Sequence, residues 1–141
     1  MMRAIPVLAL TAAALVASAL PAGADTALEE RAVAALSVES SARLEARGAA
    51  VVVPTTIVCA ADGQGSLWVQ VTQNVRGDIA TGDRYVSITE CTGTFQQIDV
   101  TVVSRTKAFR PGTAYATASL SVWTPSDWGT AEQERTITIS R

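Results

Sequence analysis

From Val51 to Ile139 the apolar residues of this chain recur at every second position, and that regularity rules out most folds. Val51, Val53, Ile57 and Cys59 share one face of an extended run, and Leu67, Val69, Val71 and Val75 share the next. Ile98, Val100 and Val102 follow. Ala114, Ala116, Ala118, Leu120 and Val122 then alternate with Tyr115, Thr117, Ser119, Ser121 and Trp123, and Ile137 and Ile139 close the series. Side chains of a strand alternate between its two faces, so a period of two marks half-buried strands and not helices. Turn chemistry separates the runs at Asp62-Gly63-Gln64-Gly65, Gly77-Asp78, Thr81-Gly82-Asp83, Cys91-Thr92-Gly93-Thr94, Arg110-Pro111-Gly112 and the loop Thr124 to Thr130. The two turns at Gly77 and Gly82 enclose a minor strand, and Pro54, which has no N–H to donate, confines its part of a strand to an edge or a bulge. About seven short strands at this spacing predict an all-β chain folded as an antiparallel β-sandwich.

Everything before the alternation has another character. Met1-Met2-Arg3, an apolar stretch from Ala4 to Leu20, and Ala22-Gly23-Ala24 form a charged start, an apolar centre and a small-residue exit. That is a secretory signal peptide over 1–24, cleaved after Ala24; Pro21 and the small residues argue against a membrane anchor. No Cys follows the cleavage point to take a lipid, and no second apolar run reaches membrane length. Leu28, Ala32, Ala35 and Leu36 repeat at helical spacing, but so short a helix is marginal in water. Residues 25–35 therefore read as a flexible N-terminal arm, and residues 36–141 as the β-sandwich domain, with its first strand near Leu36-Ser37-Val38. The mature chain is expected to be secreted, extracellular and monomeric.

Two cysteines in an exported chain predict one disulfide, Cys59–Cys91. Closing a loop of that length stabilises a small domain by about 3–4 kcal/mol in the chain-entropy picture. A metal pair or a reactive thiol is the alternative, and both lack a histidine partner, since the chain contains none. The mature chain carries 13 acidic residues against 10 basic ones once Arg3 is lost from the 11. No clustered positive charge is visible along it, so no nucleic-acid partner is expected.

A frame of residues resembles a known group. Ala42-Arg43-Leu44, Gly48-Ala49-Ala50-Val51, Cys59, Gln73, Gly82, Cys91-Thr92-Gly93-Thr94, Phe109, Gly112-Thr113-Ala114 and Arg135-Thr136-Ile137 are similar to small secreted actinobacterial proteins. Those are Ig-like β-sandwiches with a single disulfide and no characterised function. The resemblance covers Leu36 to Ser140; it implies an Ig-like sandwich and an exported compartment, and contributes no active site. The cysteine spacing departs from true immunoglobulin domains, whose bridge crosses the core to the penultimate strand. Here Cys91 precedes the strand from Gln96 to Ser104, so the bridge is expected to tie the second strand to the middle of the chain.

The missing histidine also excludes Ser-His-Asp and Cys-His catalysis, which need a base for the nucleophile. Lys107, in a polar loop beside Arg105 and Arg110, reads as a solvated charge. Glu132 and Glu134 share a face of the last strand, roughly 6–7 Å apart by strand rise, close to glycosidase geometry. Both are expected to point outward beside Arg135, which makes them solvated edge charges. Asp62, Asp78 and Asp83 sit in acidic turns, where aspartate ordinarily bonds its own backbone and does not hold calcium. No phosphate loop or dinucleotide fingerprint occurs. The expectation is a chain without catalytic activity, cofactor or metal.

The remaining feature is aromatic. If the runs Leu67–Val75 and Thr113–Trp123 are neighbours, Trp68, Tyr115 and Trp123 share an outward face, with Trp128 projecting from the adjacent loop. Rigid aromatics among hydroxyls and amides suit contact with a protein or glycan partner. Two bland readings stand beside it: Trp68 or Trp123 turned inward as core plugs, or the N-terminal arm covering them. A second functional reading is an inhibitor of an exported hydrolase, presenting Arg105 to Gly112 or Thr124 to Thr130 as a rigid loop.

Overall fold

The structure is a computed structural model and describes residues 33–141. The expected signal peptide, 1–24, and residues 25–32 of the expected arm lie outside the described residues. Eight strands follow one another: β1 (Ala34–Val38), β2 (Ser41–Glu45), β3 (Ala50–Cys59), β4 (Gln64–Val75), β5 (Asp78–Ile88), β6 (Phe95–Ser104), β7 (Gly112–Trp123) and β8 (Trp128–Ser140). No α-helix occurs among the described residues, where Ala46–Gly48 forms a single 3-10 turn. The first strand starts at Ala34, opposite Cys59, so the last two residues assigned to the arm belong to the sheet.

The strands make one closed sheet and not the two separate layers expected of a sandwich. Its order is β3-β2-β8-β7-β4-β5-β6, and β6 pairs back onto β3 along nine residues, from Ala50↔Val103 to Val58↔Phe95. β1 pairs with the far half of β3, beside β2, and completes the eight. All pairings are antiparallel except the short β2–β8 contact. Alternation foretells an inside and an outside, which a sandwich and a barrel both have, and so cannot tell them apart. The inward set is as expected: Val51, Val53, Ile57, Leu67, Val69, Val71, Val100, Val102, Ala116, Ala118, Leu120, Val122, Ile137 and Ile139 are all buried.

Closure depends on Gly82. In place of a turn and a minor strand, β5 runs unbroken through it, paired to β4 along its whole length and, at Gly82 and Asp83 alone, to β6 on its other side (Gly82↔Ser104, Asp83↔Val103). A β-carbon there would sit 2.2 Å from the carbonyl oxygen of Val103, so only glycine lets the two backbones approach. The hairpin before it is a tight one, with Arg76 (φ 54) and Gly77 (φ 88) as its two loop residues. That is the left-handed pair that a two-residue hairpin requires. Pro54 is neither at an edge nor in a bulge. Its carbonyl accepts from Glu39 N–H at 3.0 Å, so its nitrogen faces the same side, where β1 has ended at Thr55 and β2 begins at Val52. The missing N–H falls in the gap between two strands.

The disulfide joins Cys59, at the end of β3, to Cys91 in the β5–β6 connection, across a separation of 32 residues. The bridge therefore ties the Val51–Cys59 run to the middle of the chain, as expected, and that run is third in order because Ser41–Glu45 forms a strand of its own. Beside β8, no ladder reaches β1. Two inward side chains stand in for it: Gln133 Oε1 accepts from Val38 N–H at 2.5 Å, and Arg135 Nη1 donates to Val38 O at 2.7 Å. Arg135 thus faces in, opposite to Glu132 and Glu134 and not beside them.

Gly82→Val is expected to cost about 3 kcal/mol, because a branched side chain must push β5 off β6; urea unfolding of the variant measures it. Replacing both cysteines by Ala should lower stability by about 4 kcal/mol, from the loop that the bridge closes. Thermal melts of the variant, and of the parent chain with and without reductant, check this.

Candidate functional site

β4 and β7 are neighbours, as the aromatic reading needed, with Trp68 opposite Ser119 and Thr72 opposite Tyr115. Trp68, Tyr115 and Trp123 do share the outer face. They form a row and not a cluster: along β7, Tyr115, Ser119 and Trp123 stand four residues apart, about 13 Å per step. Trp68 is half-buried in the middle of that face and is no core plug. Its direct neighbour on the other side is Tyr85 of β5, itself 60% exposed. The aromatic set read from the sequence does not include Tyr85. With β5 continuous, period two places it outward.

Trp128 is no loop residue. It opens β8 directly opposite Trp123, so the two indoles lie side by side at the tip of the β7–β8 hairpin. The connecting loop is only Thr124 to Asp127, held by Thr124 N–H to Asp127 O at 2.7 Å and by Asp127 N–H to Thr124 Oγ1 at 2.9 Å. Asp127 Oδ1 accepts from Trp128 N–H at 2.8 Å and fixes the start of β8. Both rings face outward, Trp123 47% and Trp128 72% exposed. Asp62, Glu90 and Asp127 lie on the turns of this end of the barrel, and none of these turns carries a basic residue.

Farther along the outer face, Tyr115 donates its hydroxyl to Glu134 Oε2 at 2.6 Å. That bond, with lesser contributions from burial and from the carboxylate charge, holds the Tyr115 pKa above the usual tyrosine range. A raised value means that the bond is intact at neutral pH and is lost as pH rises through it. Glu132 and Glu134 are exposed on the outer face.

The opposite end of the barrel gathers charge that the linear chain keeps apart. Arg47 of the β2–β3 turn, Arg76 of the β4–β5 turn, Arg105, Lys107 and Arg110 of the β6–β7 loop, and Arg141 after β8 all come to it. Two of these cations are matched. Arg105 Nε lies 2.8 Å from Asp83 Oδ1, and Lys107 Nζ lies 2.7 Å from Asp78 Oδ2. The Lys107 hydrogen bond, more than its charge, holds the Asp78 pKa below the usual aspartate range. Asp78 and Asp83, weighed above as calcium ligands, are thus committed to cations from the next loop.

The β6–β7 loop, one of the two weighed as an inhibitory loop, is tied down along its length. Arg105 N–H reaches Thr81 O and Thr106 Oγ1 reaches Ile79 O, at 2.8 and 2.9 Å. Phe109 N–H reaches Gly48 O at 2.8 Å, and the Phe109 ring is fully buried. Gln73, one of two buried polar residues among those described, clamps Arg110 from the core: its Nε2 donates to Arg110 O at 2.8 Å and its Oε1 accepts from Arg110 N–H at 2.9 Å. Alternation puts Gln73 on the inner face of β4, and a glutamine on an apolar face was the one available signal of this clamp. Across the end, Ala46 (φ 49) and Arg47 (φ 56) are both left-handed without being glycine, a backbone cost of about 1–2 kcal/mol each.

No family model matches the chain, and no curated protein sequence matches it. Among solved structures the chain is similar to AggA, the major subunit of aggregative adherence fimbriae type I from Escherichia coli. That likeness has 13% sequence identity and a TM-score of 0.37, over 76% of this chain and 94% of the other. No helix among the described residues is long and apolar enough to cross a membrane.

Replacing Glu134 by Gln is expected to bring the Tyr115 hydroxyl back down toward the ordinary tyrosine range of about 10. Ultraviolet difference titration of the parent, Tyr115→Phe and Glu134→Gln proteins resolves the shift.

Proposed function

We propose that this chain is an exported, non-catalytic binding module of the cell envelope or the surrounding medium, acting as a monomer. Its contact surface in this reading is the Trp123–Trp128 tip, with Tyr115 and Trp68 along the same face. The observation that carries the reading is the side-by-side exposure of two indoles on a short, hydrogen-bonded hairpin. Burying such rings on a partner gains contact area at little entropic cost, because the strand pairing already orders them. Ser119, Ser121 and Thr130 on the same outer face supply hydroxyls for polar contacts. That chemistry suits a sugar ring or an apolar side chain of a protein partner.

Support for export comes from the signal-like start of the chain and from the disulfide. Support for a role without catalysis comes from the lack of any histidine and from the exposure of Glu132 and Glu134. The residue frame that resembles small secreted actinobacterial proteins supports the exported compartment alone.

Immobilised mature protein is expected to retain a component of envelope extracts, and Trp123→Ala/Trp128→Ala protein to retain none. Exposed positions change stability by about 0.5 kcal/mol or less, so the double variant should melt within a few degrees of the parent. Pretreating the extract with protease or with glycosidases separates a protein from a glycan partner. Unchanged retention by the double variant would show that the tip is not the contact.

A further inference from the structure

We propose that the basic end of the barrel is a binding site for a phosphate group, free or carried as the monoester of a small polyol. It lies at the opposite end of β7 from the Trp123–Trp128 tip and stands independently of that reading.

A cavity of about 330 Å³ opens there, lined by Leu44, Arg47, Phe109, Arg110, Pro111 and Arg141. That volume suits a small ligand and exceeds what a single water fills. No Asp or Glu side chain lines it. Arg43, Arg105 and Lys107 nearby are each paired with a carboxylate, whereas Arg47 and Arg110 have no ion-pair partner among the described residues. Two unneutralised guanidinium groups at one cavity match a dianion better than a single carboxylate, and each can offer a fork of two N–H donors to phosphate oxygens. Leu44 and Pro111 leave room for a short carbon body.

The backbone that presents the two arginines is also fixed before any ligand arrives. Gly48 follows Arg47 and accepts from Phe109 N–H; Phe109 precedes Arg110, whose peptide Gln73 clamps on both sides. A β-carbon on Gly48 would stand 2.2 Å from Phe109 O, so the turn and the loop are locked at contact distance. The residue that presents one of the two guanidinium groups is itself strained, with Arg47 in the left-handed region at φ 56. Glycine would serve that turn at lower cost, and a strained arginine is what a site retains when the side chain is needed.

The test is calorimetric titration of the mature protein with inorganic phosphate, glycerol 3-phosphate and acetate at low ionic strength. Saturable binding of both phosphates, weakened about tenfold or more in Arg110→Ala and in Arg47→Gly and unchanged in Arg84→Ala, is the expected result. Arg84 serves as the control because it lies midway along β5, opposite Val69. Arg47→Gly is expected at the same time to raise the melting temperature, since it relieves the left-handed strain. No saturable phosphate binding, or equal binding by Arg47→Gly and Arg110→Ala, overturns the proposal. Acetate binding as tightly as phosphate overturns the assignment to a dianion.

Discussion

The pairing of β6 with β3 is the contact on which the rest of this molecule depends. It turns an open array of seven strands into a ring and removes two edges that would otherwise expose unpaired N–H and C=O groups. It is possible because β5 carries Gly82 at the point where it must lie against both β4 and β6. From closure the other features follow. A ring has two ends, and turns that are far apart along the chain meet at each of them.

The strain and polar burial in this fold sit at the ends and seams of the ring, where the sheet pairing is interrupted. Pro54 lies where β1 gives way to β2, so its missing donor leaves no partner unsatisfied. Gln133 and Arg135 stand where a ladder between β1 and β8 is missing, and serve the Val38 peptide in its place. Gln73 sits where β4 meets the β6–β7 loop, and its amide does for Arg110 what a neighbouring strand would do. In each case a residue that looks out of place in a strand answers a break in the hydrogen-bond pattern, because buried backbone groups are costly when unpaired.

The two ends differ in chemistry, although the whole chain is close to electrically balanced. One end carries acidic turns and the paired indoles; the other carries six cations on four separate segments with two aspartates among them. Segregation of this kind gives each end its own electrostatic character and lets one small barrel present two dissimilar surfaces.

The sequence by itself determined the all-β class, the inner faces of β3, β4, β7 and β8, the disulfide pair, and the outward side on which Trp68, Tyr115 and Trp123 lie. Each of these follows from period-two alternation or from cysteine chemistry, which act locally. Tertiary structure alone decided that the sheet closes on itself, that Gly82 continues a strand, that Tyr85 joins the aromatic face, that Trp128 pairs with Trp123, and that Arg47 and Arg110 share a cavity. The reason is physical: alternation fixes which face of a strand is buried but not which strand lies beside it. Closure, turn-to-turn contact and the summing of charge at an end all depend on neighbours remote in the chain.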